Sequence, residues 1–108
     1  MIMIPAYDLL VLPGTRIYFK KEYFRELAQK EPEQGDDIIF ILLKQQKERR
    51  EITEEDIYPV GVTGIVEDVE REDAIGVRTI SRITLNQVDV PGNRVQFVER
   101  ADIEDISV

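Results

Sequence analysis

Residues 58–103 read YPVGVTGIVEDVEREDAIGVRTISRITLNQVDVPGNRVQFVERADI, and the periodicity of this stretch decides the fold. Val60 and Val62 alternate with the small residues Gly61 and Thr63, the two-residue period of a strand, and Gly64 marks an expected bend or bulge. Further on, Ile75 and Val77 share one phase, as do Ile83 and Leu85, whereas Ile80, Val88 and Val90 sit in the opposite phase. A period of two changes phase where an extra residue enters the ladder, so this strand is expected to bulge or bend, as barrel strands do at corners. Glu70 to Ala74 joins the first two strands, and Pro91-Gly92-Asn93 joins the second and third as a hairpin. In the last strand Val95, Phe97, Ala101 and Ile103 point one way while Gln96, Arg100, Asp102 and Glu104 point the other, the alternation of a strand with one wet face.

Working back toward the N-terminus, Ile38 to Leu43 (IIFILL) is a continuous apolar run. It suits a strand covered on both faces or one at the centre of a closed barrel. The tract KQQKERRE after it reads as an exposed loop or hairpin tip, and Thr53 with Asp56 three residues on has the spacing of a capping box. Before it, Phe24, Leu27 and Ala28 share one face of a helix of about ten residues that Pro32 stops near Glu31, with Glu26 and Lys30 as an i, i+4 ion pair. Gln34 to Asp37 makes a polar loop. Ile2 to Ile4 reads as a short strand ended by Pro5, which cannot donate to a ladder. Leu9 to Leu12 is a second apolar run closed by the turn Pro13-Gly14, and Arg16 to Phe19 is a third β-prone piece. The expectation is one mainly β (α+β) domain over residues 1–108: a small pseudo-barrel of about six strands with one α-helix, rather than an open sheet.

Composition narrows the function. The chain has 108 residues, no Cys, His or Trp, and a formal net charge of -8. Without cysteine there is no disulfide framework or thiolate metal site, and without histidine the commonest general base and zinc ligand are missing. An acidic balance opposes phosphate neutralisation, so neither nucleic acid nor an anionic membrane surface is an expected partner. No apolar stretch approaches the ~20 residues of a membrane helix. Met1 to Pro5 lacks the basic start of a secretory signal, and the expected location is the cytoplasm.

Motifs for chemistry are sparse. There is no phosphate loop, no dinucleotide fingerprint and no nucleophile elbow. Ser81 lies mid-strand and Ser107 near the C-terminus, with no histidine to activate either, and every lysine lies in the helical segment or in the 44–47 tract. Asp36-Asp37, Glu54-Glu55-Asp56 and Glu70 with Glu72-Asp73 fall in predicted loops and read as solvated surface, without calcium-loop spacing. No catalytic residue, metal ligand or cofactor is assigned. The basic cluster Lys44, Lys47, Arg49, Arg50 is broken by Glu48 and Glu51 and has no interleaved aromatic for base stacking. Tyr7, Tyr18, Phe19 and Tyr23 suit a core or its rim. An exposed patch among Tyr7, Leu10, Tyr18 and Phe19 is the candidate peptide-binding surface, and a free strand edge could take up an extended chain.

The order of segments carries a resemblance. IPAYDLLVLPG resembles the P-L-x-x-x-V-V-x-P opening of the Lon protease amino-terminal domain, and IYFKKEYFREL its strand-to-helix step. The hydrophobic strand IIFILLKQQ follows. ITEEDIYPVGVTGIVEDV is similar to the family's D-L-y-x-V-G-t-x-a-x-I block, through Asp56, Ile57, Val60, Gly61, Thr63 and Ile65. The hairpin from Ile75 to Ile103 fits the two long strands that come next. One departure is the family's G-L-x-R step, which here reads Arg82-Ile83-Thr84-Leu85. The resemblance implies the β-rich first half of a Lon-type amino-terminal domain, part of a longer chain whose ATPase and serine–lysine protease domains lie elsewhere. It implies a non-catalytic module that recognises unfolded or tagged polypeptide and helps a homo-oligomer assemble. The other expected reading is an oligomer-assembly or free-standing protein-interaction module.

Overall fold

The computed structural model describes residues 1–9 and 11–99. The described residues form six strands and one α-helix: β1 (Ile2–Tyr7), β2 (Arg16–Lys20), α1 (Lys21–Ala28), β3 (Asp37–Leu43), β4 (Ile57–Asp68), β5 (Ala74–Asp89) and β6 (Arg94–Glu99). All six strands belong to one sheet in the order β1-β3-β4-β5-β2, with β6 also on β5. The β1–β3 pair is parallel and the others are antiparallel. The mainly β reading therefore holds. The sheet is not closed: β1 and β2 are the ends of the hydrogen-bonded path and do not pair, so the expected barrel stops short of closure.

Curvature replaces closure. A straight 16-residue strand would be about 50 Å long, whereas the molecule's longest extent is 39 Å. Bulges bend β5. Val62 pairs with Arg82 but Gly64 pairs with Thr79, so one extra residue of β5 enters at Ile80–Ser81. Asn86 is extra opposite β6, where Leu85 pairs with Phe97 and Gln87 with Gln96. These are the places where the hydrophobic phase changes in the sequence. Thr63 and Ser81 hydroxyls lie 3.0 Å apart across the first bulge. Gly61 fits the same crowded region: a Cβ there would lie 2.8 Å from the Phe40 carbonyl oxygen, a backbone atom that cannot swing aside.

The bend gives the sheet a core on each face. On one side α1 lays Phe24 and Ala28 over Ile4, Ile38, Phe40, Val62 and Val77. On the other, the returning β5–β6 ribbon and Ile52 cover Met3, Ile39, Ile41 and Ile83. β3 is thus covered on both faces, which explains its uninterrupted apolar run.

Four expectations need correction. β1 continues through Pro5 to Tyr7, because the missing Pro5 N–H falls on the strand's unpaired side. α1 ends at Ala28, short of Glu31: Gln29 turns into the left-handed region and its N–H bonds the Arg25 carbonyl. Arg25 then forks onto Glu31 and Lys30 reaches Asp36, so the Glu26–Lys30 pair does not form. Residues 9–12 form no strand where they are described; Val11 tucks into the core while Leu9 and Leu12 stay partly exposed. The phase expected for Ala101 and Ile103, with Arg100, Asp102 and Glu104, lies outside the described residues.

Candidate functional site

Among the described residues no strand pairs with the outer edge of β1, and this edge forms the floor of the site. The Met3 carbonyl accepts a hydrogen bond from Arg49 Nη1 at 3.0 Å, so the Met3 backbone faces away from β3. Backbone direction alternates along a strand, and Pro5 and Tyr7 therefore face the same free side. That edge offers little to an incoming strand, because Pro5 has no N–H and Arg49 holds the Met3 carbonyl. Proline and a covering charged side chain are common ways to blunt an edge against strand addition.

Beside this edge lies an open cleft of about 1200 Å³. Pro5 and Tyr7 of β1, Tyr23 and Leu27 of α1, the 46–51 tract and Pro91 line it. A smaller cleft of about 320 Å³, with Ile2, Ala28, Lys30 and Asn93, opens on the other side of Arg49. Arg49 borders both. Its Nη1 also donates to the Leu27 carbonyl at 2.7 Å, and Nη2 donates to Asn93 Oδ1 at 3.1 Å. One side chain thus joins the β1 edge, the last turn of α1 and the β5–β6 turn. A cation at a helix C-terminus is favoured by the helix dipole and satisfies an orphan carbonyl. Burial pushes the guanidinium pKa down from its ordinary value. The tract of residues 44–51 is the exposed loop or hairpin tip that its sequence suggests, since it joins the antiparallel β3 and β4 and six of its eight residues are exposed; only Lys47 and Arg49 are half-buried, and Arg49–Glu51 fold as a short 3-10 turn.

Asp56 fixes the other end of that tract. The Thr53–Asp56 capping box forms as its spacing predicts. The buried carboxylate accepts from the Thr53 N–H at 2.9 Å, Gln45 Nε2 at 2.9 Å and Lys47 Nζ at 3.0 Å. These bonds, led by the Thr53 backbone N–H, hold its pKa well below the usual carboxylate range. A depressed folded-state pKa gives stability that is present above the unfolded value, near 3.9, and is lost as pH falls through the folded value. Denaturant midpoints measured from pH 5 down to pH 2 should therefore fall more steeply for the native chain than for Asp56→Asn. Parallel curves would show that Asp56 is not among the groups that set acid stability.

The four residues proposed from sequence do not share one surface. Tyr7 lies in the wide cleft, 48% exposed. Leu10 lies outside the described residues. Tyr18 is exposed on β2 beneath the Arg71 guanidinium, 4.7 Å from the ring centre, and lines neither cleft. Phe19 points to the opposite face of β2 and packs in the core, 6% exposed, against Phe24 and Phe40. Tyr23 joins Tyr7 in the cleft instead, 53% exposed. Leu27, Arg49 and Pro91 complete it without a sequence signal, since only the path of the β5–β6 ribbon brings Pro91 to α1.

Ser81 is engaged with Thr63 inside the bulge, and Ser107 lies outside the described residues. Among the described residues no three acidic side chains converge as a metal-ligating group, and no helix is long and apolar enough to cross a membrane. In comparisons with known proteins, no protein-family model matches the chain and no curated protein matches it.

Proposed function

We propose that this chain is a non-catalytic polypeptide-recognition module, of the kind found in the β-rich first half of a Lon-type amino-terminal domain. In that role it engages unfolded or tagged polypeptide in the cytoplasm for the ATPase and protease domains of the same machine. The observation that carries the reading is the wide cleft between the β1 edge and α1. Its two exposed tyrosines, Tyr7 and Tyr23, with Pro5, Leu27 and Pro91, form a concave, partly apolar surface next to flanking polar groups. Such a surface suits a chain segment that has lost its own fold. The ordered sequence resemblance supports the same reading.

Edge pairing on β1 is hindered by Pro5 and Arg49, so side-chain contact in the cleft is the main mode of recognition. Titration with a labelled, permanently unfolded protein should give saturable binding that a folded protein of similar size does not. Tyr7→Ser with Tyr23→Ser should weaken it at least fivefold. Equal affinity for the folded control, or no loss in the double variant, would overturn the proposal.

An assembly role has its own supporting observation. Val60, Thr84 and Val98 stand side by side across β4, β5 and β6, with Tyr58 nearby, and Tyr58 and Val98 are about half exposed. Concentration-dependent sedimentation without peptide binding would favour this second reading.

A further inference from the structure

The wide cleft also carries a charge preference. Among its lining residues the cations are occupied: Lys47 pairs with Asp56, Arg50 with Glu48, and Arg49 is held by two carbonyls and an amide. The lining carboxylates are not all matched. Asp8, Glu26 and Glu51 are exposed and have no ion-pair or side-chain hydrogen-bond partner among the described residues. They belong to the end of β1, the middle of α1 and the 46–51 tract, so they come from three separate parts of the cleft wall. Tyr7 and Tyr23 expose ring surface in the same cleft. An aromatic face attracts a guanidinium or ammonium through its quadrupole, and flanking carboxylates add a point attraction. The net charge of -8 acts in the same sense at longer range.

We infer that the wide cleft selects polypeptide segments in which arginine or lysine stands next to apolar residues, the cation meeting Tyr7, Tyr23 and the unmatched carboxylates while the apolar neighbours lie on Pro5, Leu27 and Pro91. This inference rests on the polypeptide-recognition reading and names the chemistry of the segment. An acidic segment would face three uncompensated carboxylates. A wholly polar basic segment would leave the apolar floor unused.

The test uses three labelled twelve-residue peptides of equal apolar content, carrying four Arg, four Gln or four Glu, in fluorescence anisotropy at low and high salt. The Arg peptide should bind at least tenfold tighter than the Glu peptide at 50 mM salt, with the ratio shrinking severalfold at 500 mM. Glu26→Gln with Glu51→Gln should weaken the Arg peptide about fivefold. Glu70→Gln with Glu72→Gln changes net charge equally at exposed positions that line neither cleft, and should have little effect. Equal losses in the two double variants would show that only the overall field acts, and would overturn the inference. So would equal affinity for all three peptides. If the unfolded protein binds yet the charge of the peptide is ignored, the charge preference fails and the recognition reading stands. If the unfolded protein does not bind, the recognition reading itself fails.

Discussion

Phe40→Ala is expected to cost about 4 kcal/mol of folding stability, the largest effect of any single substitution in the core. Phe40 is fully buried at the centre of β3. Its ring lies 6.0 Å from that of Phe19. Strands stand on both sides of β3 and α1 lies above it, so the surroundings have little freedom to collapse into the space left behind. Truncation therefore loses both the transfer energy of the ring and the contacts around the cavity. A domain of this size has about 5–15 kcal/mol in all, and the loss corresponds to a drop of about 20 °C in Tm. Phe40→Leu keeps much of the volume and should cost less than half as much. Thermal and denaturant unfolding measure both. A loss below about 1 kcal/mol for Phe40→Ala would mean that the core relaxes around this position.

The strands were legible where one local rule decides them. The phase change along residues 75–90 demands extra residues in the ladder, and bulges occur at Ile80–Ser81 and Asn86. The apolar run of 38–43 demands cover on both faces, and β3 has it. Rules that need a partner strand were less legible. Pro5 reads as a strand end if its missing N–H faces the ladder and as an ordinary edge residue if it faces away. Only the placement of β1 at the end of the sheet decides between them. Barrel closure has the same character, since bulges set how strongly β5 bends but not whether β1 and β2 meet.

The cleft was less legible than the fold because its wall is assembled from segments far apart in sequence. Tyr7 and Tyr23 are 16 residues apart, and nothing in either neighbourhood announces the other. Tyr18 and Phe19 are adjacent, which makes them look like one patch, yet adjacent strand residues point to opposite faces. That rule alone separates the exposed Tyr18 from the buried Phe19. Arg49 is the furthest from its sequence appearance. In a tract of eight mostly charged residues it looks like solvated surface, and it becomes structural only because three acceptors from three elements converge on it.

That convergence makes Arg49→Met the second large prediction. Methionine keeps much of the apolar stem but leaves the Met3 and Leu27 carbonyls and the Asn93 amide oxygen without their charged donor. Hydrogen bonds to charged groups contribute about 1.5–3 kcal/mol each. Without the guanidinium, folding no longer carries the cost of desolvating it, so the net loss should be about 3 kcal/mol rather than the sum of the three bonds. Arg49→Lys should recover only part of it, because a point donor on a flexible stem cannot span acceptors that a planar fork reaches together. Asn93→Ala removes one arm and should cost least. The order Met, Lys, Asn93→Ala in falling severity is the signature of one side chain tying three elements. Arg49→Met should also uncover the Met3 carbonyl on the β1 edge, and sedimentation at rising concentration should then show stronger association than the native chain does. Stability unchanged within 0.5 kcal/mol, with no such association, would remove Arg49 from its place as the tie between β1, α1 and the β5–β6 turn.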